Sequence, residues 1–189
     1  MKERCEWVSK ENICIDYHDN QWGKPVFDDD LLFEFLVLES FQAGLSWRTI
    51  LMKRENFRRA FDDFNLIKIS NYNNDKITEL LDNKGIIRNK LKIDATINNA
   101  KKFIEIQKEC DSFSNYIWHF VNHKPIINNW KSNDEIPSKT VLSEKISKDL
   151  KQKDFKFVGP TIVYAFMQAI GMVNDHITKC FCHPNNIKK

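Results

Sequence analysis

Residues 28–44 read DDDLLFEFLVLESFQAG. The aspartates at the start are typical of a helix N-terminus, because their carboxylates face unpaired amides and the positive end of the helix dipole. From position 31 to position 44, apolar residues fall on nearly every side of a helix. A surface helix would keep one polar face, so we predict that this helix lies at the centre of the fold.

Helical periodicity dominates the rest of the chain. Helix starts are predicted at Ser46, near Asp75, near Asn89, at Ser112, at Thr140 or Ser143, and at Gly159-Pro160. The helix from Asn89 is expected to carry Leu91 in its buried stripe. Residues 123–137 are predicted to form a loop, and no segment shows a sustained alternation of apolar and polar residues. The predicted fold class is therefore all-α, with both ends of the chain unassigned.

The length and composition are those of one soluble globular domain. The chain has 189 residues, of which 42% are hydrophobic and 29% are charged. The longest apolar runs are far shorter than a membrane span, and the N-terminus shows no secretory signal. We therefore expect a cytoplasmic monomer with no membrane partner. The net charge of +3 neither requires nor excludes a nucleic-acid partner.

The cysteines and histidines form the first candidate site. The cysteine count is five, and an odd number without a secretory signal favours reduced thiols or metal ligands over disulfides. Cys5 and His18 lie near one end of the chain, while His176 and Cys180 lie four residues apart near the other. Two thiolates and two imidazoles are typical of structural zinc. Other candidate ligands are Cys14, Cys182, His119, His123 and His183, and unrelated buried thiols and surface histidines would fit the spacing equally well.

Glu39 lies inside the most apolar predicted helix, where a carboxylate is rarely buried without a partner. It lies either in a buried salt bridge or at a helix edge, or it is a ligand-reading or catalytic carboxylate in an apolar pocket. Aromatic residues lie on both sides of it in sequence, at Trp7, Tyr17, Trp22 and Trp47. Any one of them alone is more simply a core residue. Taken together, flat rings around a carboxylate indicate a pocket for a flat nitrogenous base, which needs stacking and edge hydrogen bonds.

Residues 77–92 read ITELLDNKGIIRNKLK, which predicts a helix, a tight turn at Gly85 and a second helix. Backbone amides at such a turn can bind phosphate. The basic residues Arg88, Lys90 and Lys92 would add attraction to a DNA backbone. The segment looks like a helix-hairpin-helix, although a plain helical hairpin with a solvated basic face has the same pattern.

Motifs along almost the whole chain resemble the 3-methyladenine DNA glycosylase I family. These motifs are RCEW at 4–7, YHDNQWG at 17–23, LESFQAGLSW at 38–47, KRENF at 53–57, GIIR at 85–88, FKFVG at 155–159 and VNDH at 173–176. The resemblance implies an all-α helix-hairpin-helix glycosylase fold, with residues 1–189 as a single domain of two helical lobes and the base pocket between them. It also implies a zinc ion held by Cys5, His18, His176 and Cys180, which would tie residues 1–25 to residues 172–189.

The activity implied by the resemblance is hydrolysis of the bond between 3-methyladenine and deoxyribose in double-stranded DNA. Glu39 would read the adenine edge and favour the cationic base. Trp47 would stack on the base, Tyr17 would form a pocket wall with a hydrogen-bonding group, and Trp7 and Trp22 would complete the pocket. We find no candidate for the aspartate that acts after the hairpin in many members of the superfamily. A Schiff-base lyase using Lys90 or Lys92 is the alternative, but nothing marks either as desolvated, so a simple hydrolase is predicted.

Cys14 and Leu45 are two further positions that bear on the predicted site. Cys14 stands where the family pattern leads us to expect a tyrosine, so this pocket is predicted to be more open or to lack one hydrogen bond. Leu45 follows Gly44 in a predicted turn between two helices, where an apolar side chain can fill the gap left by a flipped base. A core leucine of the turn is an equally good interpretation.

Two other classes of function stay open from the residues alone. One is a zinc-containing DNA-binding module without catalysis, and the other is a hydrolase acting on free purine nucleosides. Release of a free base from methylated duplex DNA would distinguish a glycosylase from both.

Overall fold

A computed structural model describes residues 2–187. Met1, Lys188 and Lys189, the outermost residues of the predicted metal-tied segments, lie outside the described residues. The α-helices are α1 (Asn12–Asn20), α2 (Asp29–Gln42), α3 (Trp47–Ala60), α4 (Leu66–Ser70), α5 (Asn74–Asp82), α6 (Lys90–Cys110), α7 (Phe113–His119), α8 (Val141–Gln152) and α9 (Pro160–Ala169). The predicted class is confirmed as mostly helical, and no described helix is long and apolar enough to cross a membrane.

Helix α2 is the central element, as predicted from its composition. Its residues from Leu32 to Phe41 are all buried, and it contacts α3, α6, α7 and α9. The Asp28 side chain caps its N-terminus by accepting from the Leu31 amide at 2.9 Å, which satisfies one of the unpaired donors of the first turn. Because the helix is enclosed on all sides, any polar side chain on it must find a partner or face a cavity.

Most of the predicted helix starts are confirmed by side-chain caps. Ser46 accepts from the Thr49 amide at 3.2 Å, and Thr140 forms a reciprocal capping box with Ser143. The start near Asp75 lies slightly earlier, at Asn74 with Asn73 as the cap. The predicted burial of Leu91 is wrong, because its side chain is 69% exposed at the first turn of α6.

The segment 123–137 is not entirely a loop. It contains strand β1 (Ile126–Ile127), which pairs in parallel with strand β2 (Val173–Asn174). Asp175, directly after β2, is fully buried and accepts hydrogen bonds from Asn128, Trp130, Tyr164 and Gln168. This carboxylate therefore anchors the segment against α9, a long-range contact that carries no local sequence signal.

Candidate functional site

A cavity of about 560 Å³ lies beside α2. Its walls come from the N-terminal segment, from α1, α2 and α3, from residues after β1, and from α9. The lining residues are Trp7, Ser9, Cys14, Tyr17, Trp22, Glu39, Gln42, Ser46, Trp47, Arg48, Asn133, Ile136, Ala165 and Gln168. We call this space the aromatic cavity. It brings together the carboxylate and the four aromatic residues that the sequence predicted to form a pocket.

Glu39 is the acidic side chain of the aromatic cavity. It is only 3% exposed, and its Oε2 atom has no hydrogen-bond partner among the described residues. Burial raises the pKa of its carboxyl group to about 8, because an apolar environment penalises the charged form. The salt-bridge alternative for Glu39 is therefore not supported by the described contacts. An unpaired buried carboxyl group is costly and is typical of functional sites.

The aromatic rings are arranged around this carboxyl group. Tyr17 and Trp47 lie with their ring centroids 5.2 Å apart, and Trp7 and Trp22 lie 5.0 Å apart. Burial, and then the nearby charge of Glu39, raise the pKa of Tyr17 well above its ordinary value, so the phenol keeps its proton. The indole Nε1 atoms of Trp7 and Trp47 are buried without partners among residues 2–187. The cavity therefore presents aromatic surfaces, unsatisfied donors and an unsatisfied carboxyl oxygen to a ligand.

Some residues of the cavity were not predicted. Asn133, in a short 3₁₀ helix (Asn133–Glu135), contributes an Oδ1 atom that is buried without a partner in the described part of the chain. Gln168 reaches the cavity from α9 and is held by Asp175 at 2.8 Å. Both residues come from segments more than 90 positions away from Glu39, so no local pattern could place them there. Cys14, which the sequence singled out, is buried and lies on the cavity wall.

A second cluster joins the two ends of the chain. The ligand atoms of Cys5, His18, His176 and Cys180 all lie within 4.8 Å of one another, and all four residues are buried. The Sγ atom of Cys180 lies 3.4 Å from His18 Nε2 and 3.5 Å from His176 Nδ1. Hydrogen bonds to the Cys180 thiol lower its pKa far below the ordinary value, and the bond from Cys182 has the largest effect. This group of residues can hold a metal ion.

The other ring nitrogen of each histidine in this cluster has a partner. His18 Nδ1 lies 2.8 Å from an Asp19 carboxylate oxygen, and Asp19 is in turn held by Arg4. His176 Nε2 lies 3.1 Å from the carbonyl oxygen of Trp22. These contacts turn Nε2 of His18 and Nδ1 of His176 toward the Cys180 sulfur, which is the usual arrangement around metal-binding histidines. Nε2 of His18 also lies 3.4 Å from the backbone amide of Cys5.

Of the remaining predicted ligands, Cys182 also lies with its sulfur within 4.8 Å of ligand atoms of His18 and Asp19, whereas the histidines are placed elsewhere or bound otherwise. His183 is buried, with Nε2 3.1 Å from the Asn128 carbonyl and Nδ1 accepting from the Asn185 amide. Cys182 lies beside the cluster, where its amide donates to the Cys180 sulfur. His119 and His123 lie on the wall of a different cavity.

The two sites are in contact through Trp22. Its ring lies 4.6 Å from the His176 ring and 6.1 Å from the His18 ring, centroid to centroid. The same tryptophan lines the aromatic cavity. An ion held by the histidines would therefore fix one wall of that cavity.

The hairpin between α5 and α6 carries the predicted basic cluster. Gly85 donates its amide to Asn83 Oδ1 at 2.8 Å, and its carbonyl accepts from Lys53 and Asn56. Arg88 is exposed, and Lys90 pairs with Asp94 on the surface. These two basic side chains are open to a partner molecule.

Lys92 does not fit the predicted role of a DNA contact. Its side chain is 7% exposed and points inward, where Nζ donates to the carbonyl oxygens of Phe41 at 2.8 Å and Ala43 at 2.7 Å. Burial lowers its pKa, but both carbonyl contacts stabilise the ammonium form. An ammonium group committed to two buried carbonyls is not available to a phosphate, so we remove Lys92 from the set of DNA contacts.

Leu45 is 41% exposed in the turn between α2 and α3. The turn is closed by a hydrogen bond from the Leu45 amide to the Gln42 carbonyl at 2.6 Å. Gly44 in the turn has a φ of +82°, a conformation that favours glycine. Leu45 is followed directly by Ser46 and Trp47, which both line the aromatic cavity.

Comparisons with known proteins agree with this geometry. The family model described as methyladenine glycosylase matches residues 7–183. The DNA-3-methyladenine glycosylase 1 of Escherichia coli K12 is 46% identical, over 97% of this chain and 98% of that protein. A crystal structure of 3-methyladenine DNA glycosylase I aligns with a TM-score of 0.94 and 49% identity, over 96% of this chain and all of the other. A tyrosine-to-phenylalanine variant of such an enzyme, crystallised with 3-methyladenine, has a TM-score of 0.92 and 35% identity, over 96% of this chain and 97% of the other.

Proposed function

The chain belongs to the methyladenine glycosylase family. We propose that it extrudes 3-methyladenine from alkylated DNA and hydrolyses the N-glycosidic bond of this base. The observation that carries the proposal is Glu39, a buried carboxyl group with an unpaired oxygen on the wall of the aromatic cavity. The bond between C1′ and the base breaks, and its electron pair stays on the base, which leaves as a neutral molecule. Water supplies the oxygen that binds C1′ and releases one proton to the solvent. The products are a free base and an abasic site.

The chemistry matches what the cavity offers. Methylation at N3 makes the nucleoside cationic, so the base is a good leaving group and needs little help from an acid. Selection of the base against normal adenine is the harder task. An ionised Glu39 attracts the cation strongly where water is excluded and accepts hydrogen bonds from the exocyclic amine. A cation in the cavity opposes the desolvation that raises the pKa of Glu39, and so favours its charged form.

The surrounding rings would hold the base. Trp47 offers a stacking surface, Tyr17 offers a protonated phenol beside Glu39, and Trp7 and Trp22 form the remaining aromatic walls. The cavity volume of about 560 Å³ is in the range of small-ligand sites. Cys14 is smaller than a tyrosine at the same place, which supports a more open pocket.

Zinc is the metal we propose for the cysteine and histidine cluster. With Zn–S of about 2.3 Å and Zn–N of about 2.05 Å, a tetrahedral site places sulfur and nitrogen ligands about 3.5 Å apart. The observed sulfur-to-nitrogen distances in the cluster are 3.4, 3.5 and 3.6 Å. The ion would be structural, because four protein ligands leave no open position. It would tie residues 1–25 to residues 172–189.

On the DNA side, we place the hairpin with Gly85, Arg88 and Lys90 against the phosphate backbone, and Leu45 in the gap left by the extruded base. The helix-hairpin-helix description and the division into two lobes are parts of this proposal. The buried, carbonyl-bound ammonium of Lys92 supports a hydrolase without a lyase step, because such an amine is not free to form a Schiff base. A cytoplasmic monomer stays a prediction from the sequence.

The direct test is incubation of the protein with methylated duplex DNA, followed by chromatography of the released bases. Release of 3-methyladenine with abasic sites left in the strand supports the proposal. Binding of the duplex without release would indicate a DNA-binding module. Release from methylated nucleosides but not from DNA would indicate a nucleoside hydrolase.

The first prediction concerns the stacking surface. Trp47→Ala is expected to reduce 3-methyladenine excision by about five- to 150-fold, because base–aromatic stacking contributes about 1–3 kcal/mol. Trp47→Phe keeps a ring and should retain most of the activity. The measurement is single-turnover excision beside duplex affinity, and equal activity in all three proteins would place the base elsewhere.

The second prediction concerns the hairpin. Charge reversal at Arg88 and Lys90 should weaken binding to any duplex and reduce the slope of log affinity against log salt by about one for each lost phosphate contact. Lys101→Glu is the matched control, because Lys101 is an exposed lysine on the same helix but lies three turns away. An unchanged salt slope in the Arg88/Lys90 double variant would exclude the hairpin as the anchor.

A further inference from the structure

The buried ammonium of Lys92 joins the hairpin to the turn that carries Leu45. Lys92 lies in the first turn of α6, directly after the hairpin. Its two acceptors, the carbonyls of Phe41 and Ala43, lie at the C-terminal end of α2 and within the α2–α3 turn. The last carbonyls of a helix have no partner within the helix, and a cation is favoured at that end of the dipole. The contact is therefore a strong link between two segments that are 49 and 51 residues apart in sequence.

The second of these acceptors is the central carbonyl of the turn. Ala43 has φ −47° and ψ 115°, Gly44 has φ +82°, and the Leu45 amide bonds to the Gln42 carbonyl. These are the angles of a type II turn. Types I and II differ by a flip of the central peptide, whose carbonyl here belongs to Ala43. In a type I turn this carbonyl would point away from Lys92, so the bond to Lys92 selects type II.

Gly44 itself favours this turn, because type II needs a positive φ at its position. Glycine adopts positive and negative φ with similar ease, and a Cβ placed on Gly44 would meet nothing within 4 Å. No packing at Gly44 therefore fixes where the turn lies, whereas the bond from Lys92 to the Ala43 carbonyl ties the turn to the start of α6. A flip of the central peptide would leave Gln42 and Leu45 nearly in place, so the bond to Lys92 matters for the position of the whole turn relative to the hairpin.

Building on the function proposed above, we propose that Lys92 is a positioning residue that joins the Leu45 turn to the DNA-anchoring hairpin. Lys92 touches neither base nor phosphate. It keeps the wedge at a fixed place relative to the hairpin, so that an anchored duplex meets Leu45 in the orientation needed to fill the gap. Its contribution is then specific to double-stranded substrate, where an extruded base leaves a gap in the stack.

The test compares Lys92→Met with wild type on matched substrates. Single-turnover excision of 3-methyladenine from methylated duplex DNA should fall by about tenfold or more, because hydrogen bonds to a charged donor are lost. Excision from methylated single strands and binding of free 3-methyladenine should be unchanged. Lys92→Arg should retain most of the duplex activity, and Lys101→Met, on the exposed part of α6, should retain all of it.

A double variant tests whether Lys92 acts through the wedge. Leu45→Ala alone should lower duplex excision, and Lys92→Met combined with it should cause no further loss, because coupled residues are not additive. Gly44→Ala tests the turn independently of Lys92, since alanine strains the positive φ. It should show the same duplex-specific loss, which keeps the proposal testable if Lys92→Met folds poorly.

The outcomes separate this proposal from the function it rests on. If wild type releases no 3-methyladenine, the proposed function fails. If wild type is active and Lys92→Met excises equally well from duplex DNA, the positioning role is wrong. Equal losses on single strands, duplex and free-base binding would also overturn it, because Lys92 would then support the pocket itself. Additive losses with Leu45→Ala would show that Lys92 does not act through the wedge.

Discussion

Glu39→Gln is expected to reduce excision of 3-methyladenine by on the order of a hundredfold, the effect of removing one electrostatic group aimed at the reacting centre. The amide has the same shape but cannot carry the charge that pairs with the cationic base. Nonspecific duplex binding should be intact, because Glu39 lies in the aromatic cavity and not on the hairpin. Excision and duplex affinity are measured side by side, and full activity in Glu39→Gln would show that the carboxyl group is structural.

Wild-type activity should depend on pH through the ionisation of Glu39. The pKa of Glu39 is about 8 in the free protein, and the ionised form is the one that attracts the lesion. We therefore expect kcat/KM to rise with pH up to about 8, with a single ionisation. Tyr17, the titratable side chain beside it, has a pKa well above its ordinary value and stays neutral in this range. The rise should be absent in Glu39→Gln.

The free energy of unfolding of wild type should fall over the pH range in which its activity rises. A carboxyl group whose pKa is raised on folding favours the folded state below its unfolded pKa, and that contribution is lost as pH rises through the folded pKa. As the pH rises from 4.5 to about 8, wild type should therefore lose stability relative to Glu39→Gln, by about 5 kcal/mol in total. The two proteins should be equally stable near pH 4. Denaturant unfolding at several pH values measures the difference.

Glu34→Gln is the matched control for this stability measurement. Glu34 is also a buried carboxylate of α2, but it accepts from Arg54 at 2.5 Å and pairs with Arg58. Its replacement leaves a buried guanidinium without its charged partner, so stability at neutral pH should fall. If both glutamine variants were less stable than wild type above pH 8, the unpaired state of Glu39 would be contradicted.

Loss of the metal is expected to have the largest effect on stability. Cys180→Ser should abolish stoichiometric zinc and lower the free energy of unfolding by several kcal/mol, because metal-binding energy is folding energy in a site of this kind. Strong chelators should lower the melting temperature of wild type in the same way. Base binding should be lost too, since Trp22 packs on both histidine ligands and lines the aromatic cavity.

The control for the metal prediction is Cys182→Ser. Cys182 lies beside the cluster and donates its amide to Cys180, a contact that serine keeps. Its thiol faces the Asp19 carbonyl at 3.9 Å. Metal content should therefore stay at one zinc per chain, measured by elemental analysis. Protein that is isolated without metal and is equally stable would exclude the site, and loss of zinc in Cys182→Ser would make Cys182 a ligand.

Local patterns determined the helices of this protein. Apolar residues on every side of α2 predicted its central position, and Ser46 and Thr140 marked helix starts, because capping and helical faces depend on residues within four positions of each other. The same reasoning identified Glu39 as a carboxylate without an obvious partner. The choice of four candidate metal ligands and the proposed roles of the pocket residues needed more, and came from motifs shared with a family.

Tertiary structure alone decided which groups meet across long separations. Lys90 and Lys92 lie two residues apart in the first turn of α6. The ammonium of Lys92 is nevertheless buried against the end of α2, whereas that of Lys90 is on the surface. Asn133 and Gln168 reach the aromatic cavity from distant segments that Asp175 helps to hold in place. The physical reason is that a side chain's charge and shape are set by its own residue. Whether it is buried, and which atoms satisfy it, depends on segments brought together only when the whole chain folds.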